Sequence, residues 1–512
     1  MNEHGQDAVR LAGERARARL GGVLAGMVAR VASEGEWRAW ARQVERAGHC
    51  ARPVRIAGSA AAVDAATGEV RAAYASAAAP DGVLLVPCGD RRASVCPPCA
   101  ARYRADTWHV IAAGLRGRAG SGAGDAVPES VAGHPAVLAT FTAPSFGAVH
   151  RASGDGPCRE RRGRPRCPHG VPGWCDARHG DGDVLVGRPL CWDCYAYADH
   201  VLWHAAVPEL WRRTVIYVYR ALARLATERT GSRVSVRAVR SFARVSYVKV
   251  AEYQRRGAVH LHAVIRLDGV DTGDPGRVVP PPAWADAGVL ASAVCDAAGR
   301  VVVPLPEVGG DIGRSLGGAR GRVVRAARWG GQLDVRTIDD PARVAGYLAK
   351  YATKSAGDLF AGLPSRAFGS REVDRISRKV ANPHVMLLVL ACLRLSRRPE
   401  CAGLRLDRYV HTLGYRGHFA TKSRWYSVTL RVLRGVRRAW RVERAARSGR
   451  ADPWALARAE SAGLVLVGDW AYAGSGWARA GDADLAASLA RDHAAAREAS
   501  DLAVVVRVGE GS

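Results

Sequence analysis

Between Cys158 and Cys194 the chain carries seven potential metal ligands in 37 residues: Cys158, Cys167, His169, Cys175, His179, Cys191 and Cys194. The residues around them are crowded with Gly, Pro and charge, so this stretch cannot build a conventional apolar core. Metal binding supplies what is missing, because the ligands come together only on folding and the free energy of binding the ion therefore becomes folding free energy. Thiolates and imidazoles in a tetrahedral set suit zinc. Seven ligands exceed one such site. The expected set is Cys167, Cys175, Cys191 and Cys194, with His169 and His179 as alternative ligands and Cys158 spare. A separate group, Cys50, Cys88, Cys96 and Cys99, ends in CPPC, whose two thiolates can face one ion. Two structural Zn²⁺ ions are therefore expected. Cys295, Cys392 and Cys401 have no partner spacing and read as structural residues, and disulfides are disfavoured in an intracellular chain.

With 512 residues, 48% of them hydrophobic, the chain is long enough for two to four domains and a sizeable core. Its longest apolar run of note, residues 385–393, falls well short of the ~20 residues needed to cross a bilayer. No membrane span is expected, and the N-terminus lacks an apolar segment behind its charges, so a cytoplasmic location is the expectation. The formal net charge is +27. Such a field attracts polyanions, above all nucleic acid; Arg, Ala and Gly in abundance are also what a GC-rich genome writes. Distribution favours the first reading, since residues 371–450 carry about +15 and residues 451–512 about −4. The densest block, residues 431–450, reads as a basic helix, with Arg434, Arg437, Arg438 and Arg441 as candidate contacts to duplex phosphates.

Two β-prone runs, RVSYVKVAEY from Arg244 and AVHLHAVIRLD from Ala258, are separated by QRRG and predict a hairpin with Gly257 in the turn. The strand period puts His260 and His262 on one face and Leu261 on the other. Glu252 lies on the partner strand. Two imidazoles and a carboxylate converging from adjacent strands make an open site for a divalent ion. Downstream, Asp340 opens a helix through Lys354 in which Tyr347 and Tyr351, four residues apart, present their phenols side by side. Lys350 and Lys354 flank them, two of only five lysines among 75 basic residues. Nearby ammonium groups favour the phenolate and attract a phosphodiester. Leu202 to Thr227 reads as a helix, 269–325 as Gly/Pro-rich loops with some strand character, Gln332 to Thr337 as an edge strand, and the chain from about 372 as mostly helical.

Taken together, EYQRRGAVHLH and YLAKYATK resemble the HUH endonuclease superfamily, and AVLATFT (Ala136 to Thr142) resembles its first strand motif. CPPCAARYRADTWHV, TFTAPSFGAVH, CWDCYAYADHVLWHAAVPELWRRT and LGYRGHFATKSRWYS are similar to the replication initiators of actinobacterial rolling-circle plasmids and integrative elements, over roughly residues 45 to 480. The resemblance implies an α+β fold: a core of five antiparallel strands with helices packed on it, an inserted zinc segment and flanking helical regions. The expected parts are a helical segment at 1–48, a first zinc region at 49–133, the nicking domain at 134–360 with its insert at 155–200, a basic helical region at 361–480 and an acidic tail at 481–512. It further implies that Glu252, His260 and His262 hold Mg²⁺ or Mn²⁺ and that Tyr347 and Tyr351 serve the two strand transfers at the origin, with Tyr347 taken as attacking first and Tyr351 second, an order that spacing does not fix. The expected partners are double- and single-stranded origin DNA. A host helicase and polymerase are expected as well, because no lysine follows a glycine and no Walker A loop exists. A paired-tyrosine transposase or relaxase, and a non-enzymatic zinc-containing DNA-binding regulator, are the alternative readings.

Overall fold

The predicted hairpin is the centre of the fold. In the computed structural model, which describes residues 18–120, 126–308, 326–354, 359–447 and 464–509, strand β5 (Ala243–Tyr253) pairs with β6 (Val259–Val270) in antiparallel register. The turn closes through Gln254 and Gly257, and Gly257 takes φ +78°, which a side chain would strain. β4 (Ala136–Phe141) pairs with the other side of β6, and β10 (Leu333–Thr337) lies beside β4 at the edge. β11 (Ala420–Lys422) closes the opposite edge. A two-residue strand on β6 completes a six-stranded antiparallel sheet.

Alternation along these strands sorts the side chains. Leu261, Ala263, Ile265 and Leu267, with Val137, Ala139 and Phe141 from β4, face a core built by the helices α4 (Tyr197–Thr230) and α6 (Ala287–Arg300). Each large apolar side chain fully buried there contributes about 1.5–3 kcal/mol. On the other face stand His260, His262, Arg266 and Asp268. The last two form a buried pair (Nε to Oδ1, 2.6 Å) to which His134 and Ser246 also bond, and Arg266 donates to the Tyr426 carbonyl. α7 (Pro341–Ala352) covers part of this face. Asp340 caps it by accepting from the Ala342 and Arg343 amides, Pro341 starts it, and Ala345, Leu348, Ala349 and Ala352 form its buried stripe.

These elements belong to one compact unit, residues 104–432; a second comprises residues 1–103 and 433–512. In the second, β1 (Val54–Val63) pairs with β2 (Val70–Ala75), β3 (Leu84–Val86) and β12 (Val465–Ser475) in a four-stranded sheet. Beside it Trp40 and Val44 of α2 (Glu34–Arg46) pack with Cys50, Cys96 and Cys99. Two expectations are corrected. Residues 287–300 form a capped helix, with Asp286 accepting from the Val289 amide at 2.8 Å, rather than loop. Residues 465–475, expected within a helical region, form a strand, because β1 offers them a full partner. Among the described residues no helix is long and apolar enough to cross a membrane.

Candidate active site

Register decides which side chains meet at the ends of β5 and β6. Glu252 is directly opposite His260, and Thr140 on β4 is directly opposite His262. His262 Nδ1 lies 3.1 Å from Thr140 Oγ1, and its Nε2 lies 3.1 Å from Glu252 Oε2. The other Glu252 oxygen accepts from Lys354 Nζ at 3.1 Å. α7 then brings in both phenols. The Tyr351 ring stacks on His262 (centroids 5.2 Å, planes 21° apart), whereas Tyr347 meets His262 edge-on at 5.3 Å and Tyr351 at 4.8 Å. Lys354 Nζ sits 4.5 Å above the Tyr351 ring. Lys350 is exposed on the adjoining face of the helix.

His260 has a different environment. Its Nε2 is buried without a hydrogen-bond partner among the described residues. Burial first, then the charges of His262 and Arg256, push its pKa down to about 3, so the ring stays neutral at ordinary pH and keeps a lone pair to donate. An orphaned imidazole nitrogen beside a carboxylate–imidazole pair supplies the donor types that a divalent cation takes. The set is looser than the cysteine clusters, with the rings of His260 and His262 centred 6.3 Å apart.

One electrostatic expectation is overturned. The Tyr347 phenol lies above its ordinary pKa, not below it, because burial comes first, the hydrogen bond with Tyr351 second, and the charges of Tyr351, Glu252 and Asp334 act in the same direction. The Lys354 ammonium is committed to Glu252 instead.

Elsewhere among the described residues, three clusters have ligand atoms mutually within 4.8 Å, a closeness that Glu252, His260 and His262 do not reach. Cys50, Cys88, Cys96 and Cys99 stand together as the spacing predicts, with Cys50–Cys96 and Cys88–Cys99 sulfur separations of 3.7 Å. Zinc–sulfur bonds of about 2.3 Å in a tetrahedron require about 3.8 Å between sulfurs. Backbone amides of Ala51 and Cys88 donate to the sulfurs of Cys96 and Cys50, the outer-shell contacts expected around bound sulfur ligands. The second cluster is Cys167, His169, Cys191 and Cys194, with His169 Nδ1 at 3.3 and 3.7 Å from Cys194 and Cys191. Cys175 does not belong to it. It stands with His150, Cys158 and His179, so Cys158 is not spare. The physical reason is local: the backbone pairing of Arg159 with Cys175 carries Cys175 back towards Cys158. His150 and Thr140 were missed altogether. His150 lies eight residues ahead of Cys158, outside the ligand-rich stretch, and neither it nor a strand threonine carries a spacing signal.

Of the four candidate DNA-contacting arginines, Arg434 and Arg438 are exposed and Arg437 half-buried on the helix Leu430–Arg447, while the Arg441 side chain and residues 448–450 of the basic block lie outside the described residues.

Comparison with known proteins places the chain among the replication initiators. It belongs to the family described as "Replication initiator protein, pSAM2", whose model matches residues 36–491. It is also similar to a replication initiator protein of Streptomyces ambofaciens, 38% identical over 489 residues that cover 94% of this chain and 95% of the relative. No solved structure matches it.

Proposed function

We propose that this initiator starts rolling-circle replication of a plasmid by nicking one DNA strand at the origin and later rejoining it through a phosphotyrosine intermediate. The observation that carries the reading is the approach of Tyr347 and Tyr351 to within 5.3 and 5.2 Å of His262, from a helix that begins some 80 residues further along the chain. Two phenols beside an acid and two imidazoles on a basic protein are suited to moving a phosphodiester from one oxygen to another.

Tyr347 is 39% exposed and is the phenol that attacks first. As its Oη bonds to phosphorus, the bond to the 3′ oxygen of the neighbouring nucleotide breaks. The phenolic proton is released and one proton is taken up by the leaving oxygen, so the exchange balances without a co-reactant. The products are a 5′-phosphotyrosyl protein and a 3′-hydroxyl from which a host polymerase extends. Tyr351, under Lys354, performs the second transfer. Glu252, His260 and His262 would hold Mg²⁺ or Mn²⁺, which when bound polarises a phosphate oxygen. Lys354 places a positive charge beside the position of the reacting phosphate. Arg434, Arg437, Arg438 and Arg441 hold duplex origin DNA in the cytoplasm, and a host helicase separates the strands.

The test is a single-stranded origin oligonucleotide incubated with full-length protein and Mn²⁺. Wild type is expected to yield a covalent adduct and Tyr347→Phe/Tyr351→Phe none; an undiminished adduct in the double variant would remove the pair from the chemistry. His260→Ala/His262→Ala is expected to lose nicking by 100-fold or more, on the order of losing a principal electrostatic contribution, while origin binding persists. Arg434→Gln/Arg438→Gln should weaken duplex binding on all sequences and lower the salt dependence by about two counterions.

A further inference from the structure

The insert between β4 and α4 contains ligands that the nicking reading does not use. We propose that His150, Cys158, Cys175 and His179 form a third zinc site, which cross-braces the insert and holds the wall of a cleft that receives single-stranded DNA.

The geometry points to zinc before any ion is considered. His150 Nδ1 and His179 Nε2 are 3.1 Å apart, Cys158 Sγ is 3.8 Å from His150 Nδ1, and Cys175 Sγ is 3.5 Å from His179 Nε2. A tetrahedron with Zn–N of about 2.05 Å and Zn–S of about 2.3 Å has edges of about 3.3 Å between nitrogens and about 3.6 Å between nitrogen and sulfur. Cys158 and His179 are buried, at 0% and 3% exposure, so their polar atoms need a partner. A hydrogen bond from His150 to His179 would account for the 3.1 Å between their nitrogens, but not for the two sulfurs that converge on the same point, with all four ligand atoms within 4.8 Å of one another; a shared ion accounts for the whole set. The outer shell is also present: His179 Nδ1 lies 2.7 Å from Asp183 Oδ2, which fixes the tautomer that leaves Nε2 free to ligate. The Arg151 amide donates to Cys158 Sγ from 3.3 Å.

Ligand order gives the site its mechanical role. Pairs 150/158 and 175/179 alternate along the chain with pairs 167/169 and 191/194 of the neighbouring cluster. Each ion therefore closes a loop that contains ligands of the other, and neither loop can open alone. The ligand His150 also lines a cleft of about 530 Å³ together with Arg151, Arg159 and Arg255. Arg159 is anchored to this frame by Nε donating to the Val149 carbonyl at 2.7 Å. Thr142 and Gln254, which line the same cleft, are two residues beyond Thr140 and Glu252, so the cleft opens at the catalytic end of the sheet. Arginines at that position suit the phosphates of a strand running into the site. The role of the cleft, unlike the metal site, rests on the nicking reading above.

Full-length protein purified under reducing conditions is expected to carry three zinc ions per chain by mass spectrometry of the metals. Two ions, or a loss of two titratable thiols to a Cys158–Cys175 disulfide, would overturn the site. Because ligand variants risk unfolding the insert, the second measurement uses Asp183→Asn, which keeps all four ligands. One third of its zinc is expected to pass to a chromophoric chelator about tenfold faster than in wild type; identical release would show that His179 is not a ligand. In Arg255→Gln, an exposed cleft arginine that is not one of the four ligands, zinc content should be unchanged and affinity for a short single-stranded oligonucleotide severalfold lower. Unchanged affinity there would remove the cleft's role, and loss of nicking without loss of zinc would bear only on the nicking reading.

Discussion

Lys354 shows what a single residue contributes that a motif does not reveal. A lysine placed beside a tyrosine pair suggests a device for lowering a phenol pKa, yet its Nζ is 3.1 Å from Glu252 and above the face of the Tyr351 ring. It is 46% exposed, so its ion pair adds little to stability. Its position matters for charge: it neutralises the Glu252 carboxylate edge, which on the proposed nicking reading would otherwise repel the reacting phosphate. Lys354→Ala is therefore expected to slow adduct formation by about tenfold or more with little change in folding. Lys354→Arg should recover part of the rate, since charge is kept while the compact ammonium is replaced by a planar fork. Rates measured under single-turnover conditions distinguish this from weaker DNA binding. At this scale the site was legible where a period exists: alternation placed His260 and His262 on one face, and helical spacing joined the phenols. It was not legible for Cys175, because ligand identity says nothing about which of two interleaved loops a cysteine closes.

Among the elements, hairpin and tyrosine helix followed from local pattern, including the Asp340 cap and the Gly257 turn. α6 was hidden because Gly and Pro dominate the surrounding sequence, and β12 because its partner β1 lies some 400 residues away and no local signal announces it. α4 carries a further consequence of burial. His204 donates from Nδ1 to the Leu413 carbonyl at 2.7 Å and accepts the Val259 amide at Nε2, 3.1 Å, tying helix to hairpin. Protonation would place a second N–H against that amide. Burial pushes the His204 pKa down to about 4 against the helpful Leu413 bond, whereas an unfolded histidine titrates near 6.5. As pH falls the unfolded chain takes up the proton first. The stabilisation is thus fully present above about pH 6.5, declines towards about pH 4 and is flat below, a loss of roughly 3 kcal/mol. Urea unfolding of wild type should follow that window, and His204→Gln, which can donate and accept without titrating, should show a shallower pH dependence. An identical slope in the variant would assign the acid sensitivity elsewhere.

For the molecule as a whole, the two ends of the chain build one unit, which a linear division into an N-terminal helical segment, a basic region and an acidic tail does not describe. The acidic tail acquires a physical role at its first residues. Asp482, at the start of the helix Asp482–Gly509, is paired through both carboxylate oxygens with Arg30 at 2.9 Å, and Arg30 also reaches Asp81 at 2.6 Å. Arg30 and Asp482 are each only 1% exposed. Charges so far from water are tolerated only as a set, because each is costly without the other. Asp482→Asn leaves the guanidinium with Asp81 alone and should destabilise this unit by about 3–5 kcal/mol, the usual cost of breaking a buried pair. The sheet that carries Glu252, His260 and His262 lies in the other unit and has its own core. Denaturant titration followed by Trp fluorescence should therefore move one transition and leave the other in place, and adduct formation on a pre-formed single strand should survive below the shifted midpoint. If both transitions moved together, the chain would be one cooperative block, and the pairing of its ends would be a condition for the sheet that carries Glu252, His260 and His262 to fold.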